Sequence, residues 1–168
     1  MHHLAQVNIA RALAPLDDPL LADFAAHLNQ IYKLAESSPG FIWRLRAEDI
    51  SPTSPDLPSD EHLFATISVW ASLEALKAFV YRNAHVQMMR RRREWFIRLT
   101  SPYIALWWMP AGHTPDPAEV KERLDSLRAH GPTPFAFSFT QTFPAPDEAT
   151  NPATEEVEAR HSQGTSAK

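Results

Sequence analysis

A chain of 168 residues with 44% hydrophobic and 21% charged residues has the size of one globular domain, and no apolar run approaches the roughly 20 residues a membrane span needs. The absence of cysteine excludes disulfides, thiolate nucleophiles, iron–sulfur clusters and sulfur-ligated zinc, while four scattered glycines exclude a Walker loop, a dinucleotide fingerprint and a G-x-S-x-G elbow. The net charge of −4 sits mainly in residues 144–168, with five acids against two bases; residues 1–143 carry 15 acids and 14 bases, a balance that predicts neither nucleic acid nor an anionic membrane as partner.

The amino-terminal residues lack the basic, apolar and small-residue succession of a secretory signal, so a cytoplasmic address is expected. Residues 3–11 alternate as a first strand, with His3, Ala5, Val7 and Ile9 on one face and Leu4, Gln6, Asn8 and Ala10 on the other. After the turn Pro15–Pro19, apolar residues Leu20, Leu21, Phe24, Leu28, Ile31 and Tyr32 recur at helical spacing up to Ser37-Ser38-Pro39-Gly40. A second strand over 41–46 places Phe41, Trp43 and Leu45 on a core face and Ile42, Arg44 and Arg46 on the other. The prolines of residues 47–60 predict a long exposed loop.

Residues 62–70 form a third strand with Leu63, Ala65, Ile67 and Val69 opposite Phe64, Thr66, Ser68 and Trp70. Ser72 caps an expected helix from Leu73 to Leu99, on which His85, Met89, Arg92, Phe96 and Leu99 share a narrow sector. A strand over 103–109, a helix over 116–130 and an alternating strand over 135–143 complete the order β-α-β-β-α-β-α-β. One domain is expected over residues 1–146, followed by a disordered acidic tail over 147–168, which is too poor in apolar residues to offset the entropy of ordering.

His85 and Arg92 interrupt an apolar face, which suits either pocket residues or a core histidine and a paired arginine. Asn8, Arg44 and Ser68 share the polar strand face, where each needs a partner or a ligand; a sheet-face bond to Thr66, Ser68 or Ser138 is the alternative for Asn8 and Arg44. Trp70 walls a pocket or packs a strand end, and His113 caps the next helix or lines a pocket mouth. No histidine spacing forms a metal motif. The Gln6–Asn8, Arg44, Thr66–Trp70 face has no helix assigned to it, so it is expected to meet a second copy of the chain while every helix packs on the opposite side.

The segments His3–Arg11, Ser38–Leu45, Arg90–Phe96, Leu106–His113 and Gly131–Pro134 resemble a family of unknown function, numbered 3291 among such families, and the resemblance spans His3 to Phe143. It implies an α+β fold of the dimeric α+β barrel superfamily, with a ferredoxin-like antiparallel sheet and helices on one face, similar to antibiotic-biosynthesis monooxygenases. Asn8, Trp70 and His85 match elements used by the haem-degrading branch of that superfamily. The leading expectation is a cofactor-independent monooxygenase acting on a planar aromatic or polyketide-like substrate in the barrel lumen. His85 would accept the proton, Asn8 and Arg44 would stabilise the oxyanion, and Trp70, Ser68, Arg92, Met89 and His113 would contact the substrate. The alternatives are a non-catalytic dimeric module binding an apolar metabolite, and a haem protein. The expected partners are a second copy and a small apolar or aromatic ligand, with no cofactor and no metal.

Overall fold

The computed structural model describes residues 1–15, 17–46, 62–81 and 91–149. Strand β1 (His2–Ala12) runs at the centre of the sheet, antiparallel to β3 (Leu63–Trp70) along one edge and to β4 (Phe96–Ile97) and β5 (Ile104–Pro110) along the other. Strand β2 (Phe41–Arg44) adds to the far edge of β3. Helix α1 (Ala22–Glu36) joins β1 to β2, and α2 (Leu73–Val80) follows β3. The resulting order, β2-β3-β1 and then β4 with β5, interleaves two split β-α-β units and is the α+β, ferredoxin-like arrangement. No helix of the described residues is long and apolar enough to cross a membrane.

Helix starts follow their caps. The Ser72 hydroxyl accepts the Ala75 N–H at 3.1 Å, and the Asp116 carboxylate accepts the Glu119 N–H at 2.8 Å to open α3 (Pro117–His130), which has Pro117 in its first turn. α1 and α2 lie on the Leu4–Trp70 face of the sheet, where Leu4, Trp70, Leu73, Leu76, Phe79 and Leu106 form one buried cluster with Ala35. A second cluster on that side joins Ala10, Ala12, Leu21, Phe24, Trp95 and Phe96. α3 lies on the other face, where Val120, Leu124 and Leu127 cover Ala5, Val7, Ile67, Val69, Trp107 and Met109.

The expectation that the helices avoid the Gln6–Asn8 face is therefore corrected, and the face expected to receive a second copy is roofed by the chain's own α1 and α2. Its polar centre is bounded by Leu4, Ala10, Phe64 and Trp70, whose apolar area draws the helices down. In β2 a register shift between Phe41 and Trp43 leaves Ile42 as an extra residue. Phe41 consequently packs on the Trp70 side, while Trp43 and Leu45 pack on the α3 side instead of sharing a face with it.

The helix expected to reach Leu99 is also corrected. α2 ends at Val80, and after residues 82–90, which lie outside the described residues, Arg92–Glu94 form a 3-10 turn and Phe96–Ile97 pair with Arg11–Ala12. Burial of Phe96 edge-on against Phe24, centroids 4.7 Å apart, outweighs helical continuation. Residues 135–143 make two isolated bridges, Leu106–Phe137 and Ser138–Gln141, instead of a strand. The Ser138 and Thr140 hydroxyls, 2.8 Å apart, lie within the turn, and Ala136 and Phe137 satisfy the apolar alternation by entering the two opposite clusters. Pro146–Ala149 form a short α4 whose Asp147 pairs with His2 at 2.9 Å. Residues 150–168, the rest of the expected tail, lie outside the described residues.

Gly40 sits at φ +79° between α1 and β2, and a Cβ there would stand 2.6 Å from that of Ala75. Gly40→Ala is expected to cost about 2–4 kcal/mol through left-handed backbone strain and overpacking. This is read as a lowered urea midpoint, and adding Ala75→Gly should restore only the packing share.

Candidate functional site

Between the sheet and α1/α2 lies a cavity of about 120 Å³, room for several waters or the body of a small organic molecule. Its floor is the even face of β1, with Gln6, Asn8 and Ala10, and the matching face of β3, with Phe64, Thr66, Ser68 and Trp70. Leu28, Ile31 and Tyr32 of α1 form the roof. Trp70 stacks on Phe79 at 5.0 Å and meets Phe41 edge-on at 5.3 Å, making an aromatic wall. Phe24, Phe64, Phe96 and Trp95 make a second one.

The polar groups on the floor divide sharply. The Trp70 indole N–H donates to the Ser68 hydroxyl at 3.0 Å, which donates to the Gln6 side-chain Oε1 at 3.3 Å, so these three side chains are linked in one chain. Asn8 takes no part, and its buried Oδ1 has no hydrogen-bond partner among the described residues. Arg44 donates through Nε to Glu36 Oε1 at 2.9 Å and lies 4.0 Å over the Tyr32 ring. The expected sheet-face bonds from Asn8 and Arg44 to Thr66, Ser68 or Ser138 are absent among the described residues. Burial pushes the Tyr32 phenol above the usual tyrosine range, and the Arg44 charge pulls it partly back.

Of the residues expected at a site, Asn8, Arg44, Ser68, Trp70 and Arg92 line this one cavity. His113 does not: its Nε2 lies 2.6 Å from Glu119 Oε2, while Glu119 Oε1 accepts the Trp107 indole N–H at 2.9 Å, tying α3 to β5 on the other side of the sheet. His85 and Met89 lie outside the described residues. Tyr32, Phe41 and Phe79 are lining residues not assigned from the sequence. The sign for Tyr32 was its hydroxyl on an otherwise apolar helix stripe. Among the described lining residues the titratable groups are Tyr32, Arg44 and Arg92, and no cluster of three metal-ligating side chains occurs among the described residues.

The sheet order and the aromatic-walled cavity beneath α1 and α2 define a ferredoxin-like α+β protein whose internal space lies between sheet and helices. The chain belongs to the family described as Domain of unknown function (DUF3291), whose model matches residues 3–154. No curated protein matches it. Among solved structures, SnoaB, a cofactor-independent oxygenase from Streptomyces nogalater, is 14% identical, covering 68% of this chain and 97% of its own, with a TM-score of 0.45. NE2512, a protein of unknown function from Nitrosomonas europaea, is 19% identical, covering 69% and 97%, with a TM-score of 0.46. Rv0793 from Mycobacterium tuberculosis is 11% identical, covering 68% and 99%, with a TM-score of 0.46.

Because the Tyr32 phenol is held above its free value, the unfolded chain releases this proton first as the pH rises. The stability associated with it is whole below about pH 10 and is lost above. Tyr32→Phe is expected to flatten the alkaline decline, measured by urea unfolding between about pH 9 and 11 alongside phenolate absorbance. An identical decline in both proteins would contradict the burial assigned to the phenol.

Proposed function

We propose that the protein is a small-molecule enzyme that encloses a flat, partly aromatic, hydroxylated compound between its sheet and α1/α2, and that the substrate's own anion there reduces dioxygen. The observation that carries this reading is the buried carbonyl of Asn8, without a hydrogen-bond partner among the described residues, in a cavity with two aromatic walls. A buried acceptor without a donor costs free energy, and a substrate hydroxyl supplies the missing bond. In this reading the aromatic walls accept a planar ring, and Arg44, held by Glu36, and the Asn8 amide N–H group, which line the same space, stabilise an oxyanion.

The reaction class is the oxidation of an activated CH2 group by O2 to a carbonyl and water. A base removes a C–H proton, the delocalised carbanion passes electrons to O2, and the resulting hydroperoxide loses water to leave the carbonyl. The proton acceptor in this reading is His85, the histidine that the sequence sets among apolar residues at helical spacing. Arg44 supports the same reading because Glu36 and the Tyr32 ring hold it in one orientation.

Oxygen uptake with a panel of phenols and anthrones tests the proposal. Asn8→Ala and His85→Ala are each expected to lower kcat/KM about a hundredfold or more while the folded state survives. Asn8→Ala also removes an unsatisfied buried group, so its urea midpoint should hold or rise. Tight binding of these compounds without oxygen uptake would leave a binding module in place of an enzyme. A Soret band in the purified protein would point to haem instead.

A further inference from the structure

Among the described residues two arginines line the cavity, and their surroundings differ. Arg44 is paired with Glu36 at 2.9 Å. Arg92 opens the 3-10 turn, and two acids of its neighbourhood are held by the preceding residue: Arg91 pairs with Asp23 at 2.6 Å and Glu94 at 2.8 Å. Among the described residues Arg92 has no ion pair. Its guanidinium lies 4.6 Å from the Tyr103 ring centroid and 6.0 Å from that of Phe96, and none of the described lining residues is acidic.

A ring face compensates a cation only in part and leaves the guanidinium N–H groups free. The pair is also fixed in place relative to the floor. Tyr103 is held to β1 by the Ile9 N–H, which donates to its carbonyl at 2.7 Å, and the next residue, Ile104, stands opposite Asn8 in the ladder. A cation without an ion pair and an amide carbonyl without a donor among the described residues are thus brought to the same stretch of β1, inside one cavity.

We infer that Arg92 is the specificity residue for an anionic substrate: the cavity takes a hydroxylated aromatic carboxylate, its hydroxyl on Asn8 and its carboxylate on the Arg92 guanidinium. This deepens the proposed function and rests on its placement of substrate in the cavity. A carboxylate suits the site because it is flat, can be coplanar with an aromatic ring, and matches the guanidinium fork with two parallel hydrogen bonds. The same ring that stacks on Arg92 keeps its charge at the cavity when no ligand is bound.

The test compares three probes by tryptophan fluorescence titration of the full chain: 1-hydroxy-2-naphthoate, its methyl ester, and 1-naphthol. The acid is expected to bind about tenfold or more tightly than the ester, with affinity falling as salt is added. Arg92→Gln should remove most of that preference while changing ester and naphthol binding less than about twofold, and Arg92→Lys should restore part of it. An unchanged melting temperature in both variants shows that the effect is on binding. Equal affinity for acid and ester, or an equal loss of both in Arg92→Gln, would overturn the carboxylate assignment and leave the cavity reading intact. Failure of all three probes to bind would remove both.

Discussion

β1 is hydrogen-bonded along both edges, to β3 on one side and to β4 and β5 on the other, and this constraint shapes everything around it. A strand with no free edge commits every side chain to one of two faces, and both must then be covered. Leu4, Ala5 and Val7 are fully buried as a result. The Ala5–Val7 face is apolar from Ala5 to Ile9 and α3 closes on it; the Leu4–Ala10 face has two amides at its centre, and α1 and α2 close only on its apolar ends. The space left between is the cavity, which is a consequence of placing Gln6 and Asn8 on a central strand.

The aromatic groups keep that space open. Trp70, Phe41 and Phe79 interlock on one side, and Phe24, Phe64, Phe96 and Trp95 on another, in edge-on, tilted and stacked pairs worth about 0.5–1.5 kcal/mol each beyond their burial. Rigid rings at both ends prevent the helices from sagging onto the floor. The polar floor is satisfied wherever the protein can satisfy it: the Trp70, Ser68 and Gln6 chain costs little, since each buried donor has its acceptor. Asn8 stands apart from that chain, its Oδ1 buried without a hydrogen-bond partner among the described residues.

Charge placement follows a similar division. Glu36 fastens α1 to β2 through Arg44, Asp23 holds α1 to the turn at Arg91, Glu94 pairs with Arg91 within that turn, and Glu119 holds α3 to His113. The Glu119 carboxylate joins β5 to α3 through Trp107, a structural role that accounts for His113. With the acids so engaged, the cavity lining is left with cations and dipoles only among the described residues. Sites that hold such groups ready trade some folding stability for binding.

Local pattern was enough to read much of this in the sequence. Alternation in residues 3–11 and 62–70 placed Gln6, Asn8, Ser68 and Trp70 on one face, and the cap at Ser72 marked the start of α2. These features depend on residues close together in the chain, so a period of two or a single hydroxyl reports them directly. Tertiary structure alone decided the rest. Alternation says which residues share a face but not what covers it, so the polar stripe read as an open surface when it is the floor of a cavity. The bulge after Phe41 depends on pairing with β3, and the change from helix to strand before Phe96 depends on Phe24 and on the edge of β1, which the Trp95–Ile97 run cannot report by itself. The alternating run at 135–143 shows the same limit: its two buried residues needed opposite faces, but only the neighbouring β5 determined that two bridges and a turn would provide them.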